Sequence, residues 1–285
     1  MYQIASCSKF ITSLVVAKLY EKGKLDYDTD INKYLQKWKC PVKGITLRLL
    51  LTHTSGSSDG NGYLGYDPWS KIKQTLETNT QIIKGEFSSK PFNITKTPGK
   101  QFMYSGAGFQ VVQQVLESIT DKRLYQLMNQ YIFNPLKMNN STGKLLYPDQ
   151  HKYKLAKMNN LYRMYPETAA AGVWISCNDF QKLTQDLIKT YNSNSGKILQ
   201  QSTLKMIIKG EHSKWSKKYE NYGLGMFVNT IDGKKLFAHD GLNYGYKMHF
   251  HCVPEKNEYE IIMTNYAPNI KSEKIIINAR KILKL

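Results

Sequence analysis

Ser6 and Lys9 are the residues with the clearest chemical potential in this chain of 285 residues. They lie three apart in Ala5-Ser6-Cys7-Ser8-Lys9, which runs directly into an apolar stretch. Positions i and i+3 share one face of a helix, so a hydroxyl and an amine so spaced can act as nucleophile and base. The Ser-x-x-Lys spacing recurs at Ser70, Ser141 and Ser202, so spacing alone does not select among the four. Two further segments carry compatible chemistry. Tyr104-Ser105-Gly106 follows the Pro98-Gly99 turn and precedes a helical pattern, and His239-Asp240-Gly241 ends one strand-like run before another begins at Gly245. Serine acyl transfer needs a nucleophile, a proton acceptor, a donor to the leaving group and two N–H groups for the oxyanion. These three segments can supply all of them.

The elements that must position these groups are legible from periodicity. Phe10, Ile11, Leu14, Val15 and Leu19 recur at helical spacing over Phe10–Tyr20, with Gly23 as a stop. Thr46 is placed to cap a second helix ending at Leu51. Residues 55–100 are rich in Gly, Ser, Asn and Pro, with a helix expected over Lys71–Ile83. Helices are predicted over Gly108–Ile119, Arg123–Tyr131, from Ser176 onward and over Ser202–Ile208. The pattern then changes to strand-like runs at Tyr222–Asn229, Lys235–His239, Gly245–Val253 and Tyr259–Asn265, with a turn at Asp232-Gly233. A last helix is expected over Ile270–Leu283. Helices followed by a strand meander predict an α/β (α+β) sandwich with an antiparallel sheet. No repeat or linker divides the chain. One domain over 1–285 is expected, with a helical and loop region at about 24–210 and a sheet with its C-terminal helix at about 220–285 packing on the helix at 6–22.

Composition bounds the function. The net charge of +18 arises from 40 Lys and Arg against 22 Asp and Glu. The basic residues are scattered, Lys217-Lys218 and Lys271 to Lys281 being the nearest to clusters, and no nucleic-acid motif accompanies them. A nucleic-acid partner is therefore not expected. No apolar run reaches membrane-spanning length. Cys7, Cys40, Cys177 and Cys252 are too dispersed for a disulfide framework or a zinc site. His249 and His251 alternate on a strand and so share a face, which is read as a half-exposed strand face; no metal and no cofactor is expected. No secretory signal is visible, no compartment is assigned, and nothing specifies an oligomeric state.

Seven strings, in order, resemble the serine β-lactamase and penicillin-binding-protein superfamily in its class C-like, esterase-like branch: IASCSKFITSLVVAKLYEKGKL, ITLRLLLTHTSG, PGKQFMYSGAGFQVVQQVLE, IFNPLKMNNST, AAAGVWISCNDF, YGLGMFV and HDGLNYGY. Only the Ser-x-x-Lys at Ser6 lies in that context. The resemblance implies a β-lactamase/transpeptidase-like fold, an antiparallel sheet flanked by helices plus an all-helical region. It implies that Ser6 is the acylated nucleophile and that Lys9 helps deprotonate it. An aqueous lysine pKa of ~10.4 must fall for that role. Tyr104 is implied as the second acid/base, activating Ser6 or the deacylating water, so that either Lys9 or Tyr104 can be the base, and His239, at the family's third motif, as a group that polarises the site or contacts substrate. The N–H groups of Ser6 and Leu242 are implied as the oxyanion hole, with Gly106 and Gly241 at the substrate-binding edge. His53 and Ser55 are read as hydrogen-bonders that shape a loop. Two departures stand out. Gly106 replaces the family's Asn and His239 its Lys, which favours an esterase or peptidase reading over a lactamase one. Relatives also carry roughly 50 more residues before the nucleophile, a family expectation, so N-terminal strands are expected to be missing here. The function implied is a serine hydrolase acting on a small-molecule or peptide ester or amide; the alternative is an inactive relative that binds such ligands.

Overall fold

The computed structural model describes residues 1–57, 78–86, 90–146, 152–157, 165–213 and 221–265. Strand β1 (Tyr2–Gln3) and a 3₁₀ turn (Ala5–Cys7) lead into helix α1 (Ser8–Glu21). Helices α2 (Leu47–Leu51), α3 (Asn79–Lys84), α4 (Gly106–Thr120) and α5 (Leu124–Met128) follow. Next come β2 (Ser141–Thr142), β3 (Trp174–Ile175), α6 (Cys177–Ser193) and α7 (Gln201–Ile207). The chain then forms β4 (His212–Ser213), β5 (Asn221–Tyr222), β6 (Phe227–Ile231), β7 (Lys234–Asn243), β8 (Tyr246–Val253) and β9 (Glu258–Thr264). The last six make one antiparallel sheet in sequence order, while β1, β3 and β2 make a second small sheet in that order.

Helix α1 is buried on nearly every side, Ser8, Lys9, Thr12 and Ser13 included, because other elements enclose it. Phe10 stacks on Phe237 of β7 at 6.1 Å and tilts against Phe250 of β8 at 4.8 Å. Phe180 of α6 closes the cluster at 4.9 Å from Phe250. The inner face of the sheet thus rests on α1 and α6, and this core holds the serine-bearing turn. Local signals behave as the sequence predicts. Thr46 accepts from the Leu49 N–H, Ser105 from Gly108 and Ser176 from Asp179, which caps α2, α4 and α6. Asp232 and Gly233 both take positive φ, the type I′ geometry that links β6 to β7 through two residues.

Two strand boundaries differ from expectation. The run Tyr222–Asn229 breaks between β5 and β6 because Gly223 and Gly225 let the backbone cross other elements. A Cβ on Gly223 would lie 2.4 Å from the Ile207 carbonyl oxygen, and one on Gly225 2.5 Å from Ser13 Cβ. The third motif does not end a strand. β7 continues through His239-Asp240-Gly241 to Asn243, because β8 pairs with it as far as Asn243↔Tyr246. The helix predicted over Lys71–Ile83 is realised as Asn79–Lys84, opened by a Thr78–Gln81 capping box; its earlier part, the helix at 270–283, Ser70 and both lysine groups lie outside the described residues. Among the described residues no helix is long and apolar enough to cross a membrane.

Candidate active site

The 3₁₀ turn before α1 presents Ser6 as a partly buried residue between buried Ala5 and Cys7. Ala5 holds φ at +48°, an uncommon conformation for a residue with a side chain, immediately before the serine. One turn later Lys9 is 1% exposed. Its ammonium donates to Ser6 Oγ at 3.3 Å and to the Ala170 carbonyl at 3.0 Å. This contact separates Ser6 from the other described Ser-x-x-Lys pairs. Ser141 Oγ instead donates to Asp179, and Lys205, the partner of Ser202, lies over the Tyr191 ring. Cys7, beside the nucleophile, is fully buried. Its thiol donates to the His239 carbonyl, and burial pushes its pKa well up.

Tyr104 reaches the same place from the loop before α4. Lys9 Nζ sits 4.8 Å from the centroid of its ring. Ser105 caps α4, and Gly106 is the first helical residue. The loop is clamped by the segment that follows α2. His53, at φ +58°, accepts the Met103 N–H on its carbonyl and the Ser105 N–H on Nδ1. The His53 ring also lies 4.3 Å from that of Tyr104. Ser55 shares a buried hydroxyl chain, through Ser57, with Ser105. The loop-shaping reading of His53 and Ser55 matches these contacts.

The structure places His239 differently from the expectation of substrate contact: the residue is 0% exposed. Its Nε2 meets the Tyr222 hydroxyl at 3.1 Å, and that hydroxyl meets His53 Nε2 at 3.2 Å. The directions of these bonds follow from the ends of the chain. Ser105 N–H occupies the His53 Nδ1 lone pair, so His53 Nε2 carries the proton and donates to Tyr222. Tyr222 then donates to His239 Nε2, and His239 Nδ1–H donates to the Asp240 carbonyl at 2.6 Å. Both imidazoles are thereby neutral. Burial and the nearby Lys9 charge push the His53 pKa well below its usual value and that of His239 down to about 3. Burial likewise pushes the Tyr222 hydroxyl well up. Tyr222 is the residue that sequence reasoning missed as part of the site. Its signal was the YGLG string, whose glycines let β5 pass α1 and set that hydroxyl between the two histidines.

Strand β7 supplies the other edge. Lys234, Leu236 and Ala238 are same-parity residues that pair toward β6 across the two-residue turn, and that pairing ends at Phe227↔Ala238. Asp240 and Leu242 continue the parity, so their N–H groups point past the end of β6 toward the serine turn. The Leu242 side chain itself is 66% exposed. Gly241 permits the approach. A Cβ there would lie 2.3 Å from the Ile4 carbonyl oxygen and 3.2 Å from Ala5 Cβ. The arrangement brings a hydroxyl, a buried amine and a phenol ring to one place, with β7 at its edge.

Comparisons with known proteins bear on the family and the fold. The family model described as Beta-lactamase matches residues 1–282. Penicillin-binding protein 4* of Bacillus subtilis (strain 168) is 29% identical over 140 residues, which is 49% of this chain and 30% of that protein. Protein flp of Staphylococcus aureus (strain MW2) is 26% identical over 147 residues, 50% of this chain and 28% of that protein. The matched region thus spans about a third of the length of these relatives. Among solved structures, the octameric penicillin-binding protein homologue from Pyrococcus abyssi superposes with a TM-score of 0.76 at 21% identity, covering 99% of this chain and 66% of that one. The D-stereospecific amidohydrolase from Streptomyces sp. gives 0.72 at 21% identity, covering 96% and 85%. The D-amino acid amidase from Ochrobactrum anthropi SV3 gives 0.71 at 17%, covering 93% and 77%. The structural neighbours share the β-lactamase/transpeptidase-like fold seen here, and by the family match over nearly its whole length the chain belongs to the Beta-lactamase family.

Proposed function

We propose that the protein is a serine hydrolase that forms an acyl-enzyme on Ser6 Oγ, with an ester, amide or peptide as acyl donor. The observation that carries this reading is the Lys9 amine, buried and held between Ser6 Oγ at 3.3 Å and the Ala170 carbonyl at 3.0 Å. In its neutral form Lys9 takes the Ser6 proton as Oγ attacks the acyl carbon. The oxyanion forms between the N–H of Ser6, which the first turn of a helix leaves unused, and the N–H of Leu242. Tyr104, whose ring lies beside Lys9, is the second proton carrier. It protonates the leaving group and then activates the water that cleaves the acyl-enzyme. Gly106 presents no side chain at the start of α4, which leaves room for the acyl group there. His239, on β7, acts as a positioning residue behind Tyr104, in accord with its burial.

Two structural neighbours are described as a D-stereospecific amidohydrolase and a D-amino acid amidase, which makes amides of D-amino acids the first substrates to try. The test is a panel of p-nitrophenyl esters and D- and L-amino acid amides. Turnover that vanishes in Ser6→Ala and falls at least a hundredfold in Lys9→Ala is expected. Turnover preserved in either variant removes that residue from the mechanism. Binding of the same compounds without turnover would favour a ligand-binding relative.

A further inference from the structure

A second cluster of chemistry-bearing side chains lies on the outer face of the sheet and takes no part in the proposed acylation. His249 and His251 are two apart on β8 and so project to one side. The register sets His251 opposite Glu260 of β9 and His249 opposite Asp240 of β7. His249 Nε2 lies 3.3 Å from His251 Nδ1 and 3.7 Å from Glu260 Oε1. His251 Nδ1 lies 3.8 Å from the same Glu260 oxygen. The three atoms form a nearly equilateral triangle. An ion held tetrahedrally at roughly 2.0–2.2 Å sets neighbouring ligand atoms about 3.3–3.6 Å apart, close to these sides.

The surroundings fit an ion as well. His249 Nδ1 lies 2.6 Å from Asp240 Oδ1. That bond keeps the proton on Nδ1 and turns the Nε2 lone pair into the triangle, the carboxylate–histidine arrangement typical of metal-bound imidazole. Two neutral imidazoles with two carboxylates balance a dication. His249 is buried, while His251 and Glu260 are only partly so, which leaves an approach and a fourth position open to water. Two nitrogens and one oxygen are a poor set for Mg²⁺ or Ca²⁺, which prefer all-oxygen shells, and a good one for zinc.

We propose that His249 Nε2, His251 Nδ1 and Glu260 Oε1 form a divalent transition-metal site, with Zn²⁺ the ion that fits and Asp240 the group that orients His249. The sequence offered only the histidine pair, read as a plain strand face. Glu260 arrives from a separate strand, and only the register shows it. An ion here ties β7, β8 and β9 together, and through Asp240 it reaches the strand that carries His239 and Gly241.

The full chain, stripped with chelator and dialysed, is titrated with Zn²⁺ against a chromophoric chelator, with thermal melts in parallel. One equivalent is expected to bind, and a hundredfold excess over Kd to raise the melting temperature by roughly 4–5 °C. His251→Ala and Glu260→Gln should each weaken binding at least tenfold and remove the zinc-dependent rise, with little change in the metal-free melting temperature. Asp240→Asn should weaken binding about 10–100-fold. In the wild type, Co²⁺ should give the intense visible absorption of a four-coordinate site, a readout that needs no variant to fold. Binding weaker than about 0.1 mM, binding untouched by His251→Ala and Glu260→Gln, or a weak six-coordinate Co²⁺ spectrum would overturn the proposal in favour of a hydrogen-bonded Asp240–His249–His251 chain.

Discussion

Tyr222→Phe removes a single oxygen from the buried chain that runs from Ser105 through His53 and Tyr222 to His239. That oxygen accepts from His53 Nε2 at 3.2 Å and donates to His239 Nε2 at 3.1 Å, and all three side chains are buried. The ring remains, so its edge contact with Phe227 at 4.9 Å and its tilted contact with His53 at 4.8 Å are retained. The loss is therefore polar. One N–H donor and one ring-nitrogen acceptor are left without partners in a site closed to water, each at about 1–3 kcal/mol. Together they predict a destabilisation of about 2–6 kcal/mol, or roughly 3–10 °C in melting temperature for a chain of this size. Thermal and urea melts followed by circular dichroism at pH 7.5 measure it, with an unchanged urea m-value as the sign that only stability moved. Tyr191→Phe is the control. Its hydroxyl donates to Glu255 near the surface, and its loss should cost no more than about 1 kcal/mol. Because His53 braces both the Ser105 N–H and the Tyr104 ring, Tyr222→Phe should also lower kcat more than it changes KM. A loss of stability equal to that of Tyr191→Phe would refute the bridging role of the hydroxyl.

Acid should destabilise the fold through the same residues. The folded pKa of His239 is pushed down to about 3 from an ordinary 6.5, so the unfolded chain binds the extra proton between those values. Its contribution is fully present above pH 6.5 and is lost as pH falls toward 3, on the order of 2 kcal/mol by pH 5. His53 shifts in the same direction, and melts at pH 8, 6 and 5 should show the slope; a stability flat across that range contradicts the assignment of neutral buried histidines. Gly241→Ala would drive a Cβ to 2.3 Å from the Ile4 carbonyl and part β7 from the serine turn. A fall in kcat of about 10²–10³-fold on whichever ester proves active is expected, as for loss of one oxyanion donor, and a change under threefold would place Leu242 N–H outside the site.

The fold was largely legible because its signals are local. The apolar spacing of Phe10 to Leu19 marks α1, Thr46 and Ser176 mark helix starts, and Asp232-Gly233 marks the β6–β7 turn. Ser6 and Lys9 were legible for the same reason, since three residues on a helix are always neighbours. What stayed hidden depends on contacts between distant segments. His53 and His239 are joined through Tyr222, and the YGLG string marks a backbone crossing there without naming the partners of the hydroxyl. His239 reads equally well as an exposed or a buried strand residue until α1 and β5 enclose it. The extension of β7 past Asp240 follows from pairing with β8 rather than from its own Asp and Gly. Glu260 meets His249 and His251 through strand register, which alternation on β8 alone does not specify.

Intact-protein and peptide mass spectrometry after exposure to a fluorophosphonate, with a fluorescent penicillin in a parallel sample, tests the central assignment most directly. One covalent adduct per chain is predicted, mapped to Ser6, absent in Ser6→Ala and formed far more slowly in Lys9→Ala. An adduct on another residue, or equal labelling of the wild type and Ser6→Ala, would contradict it.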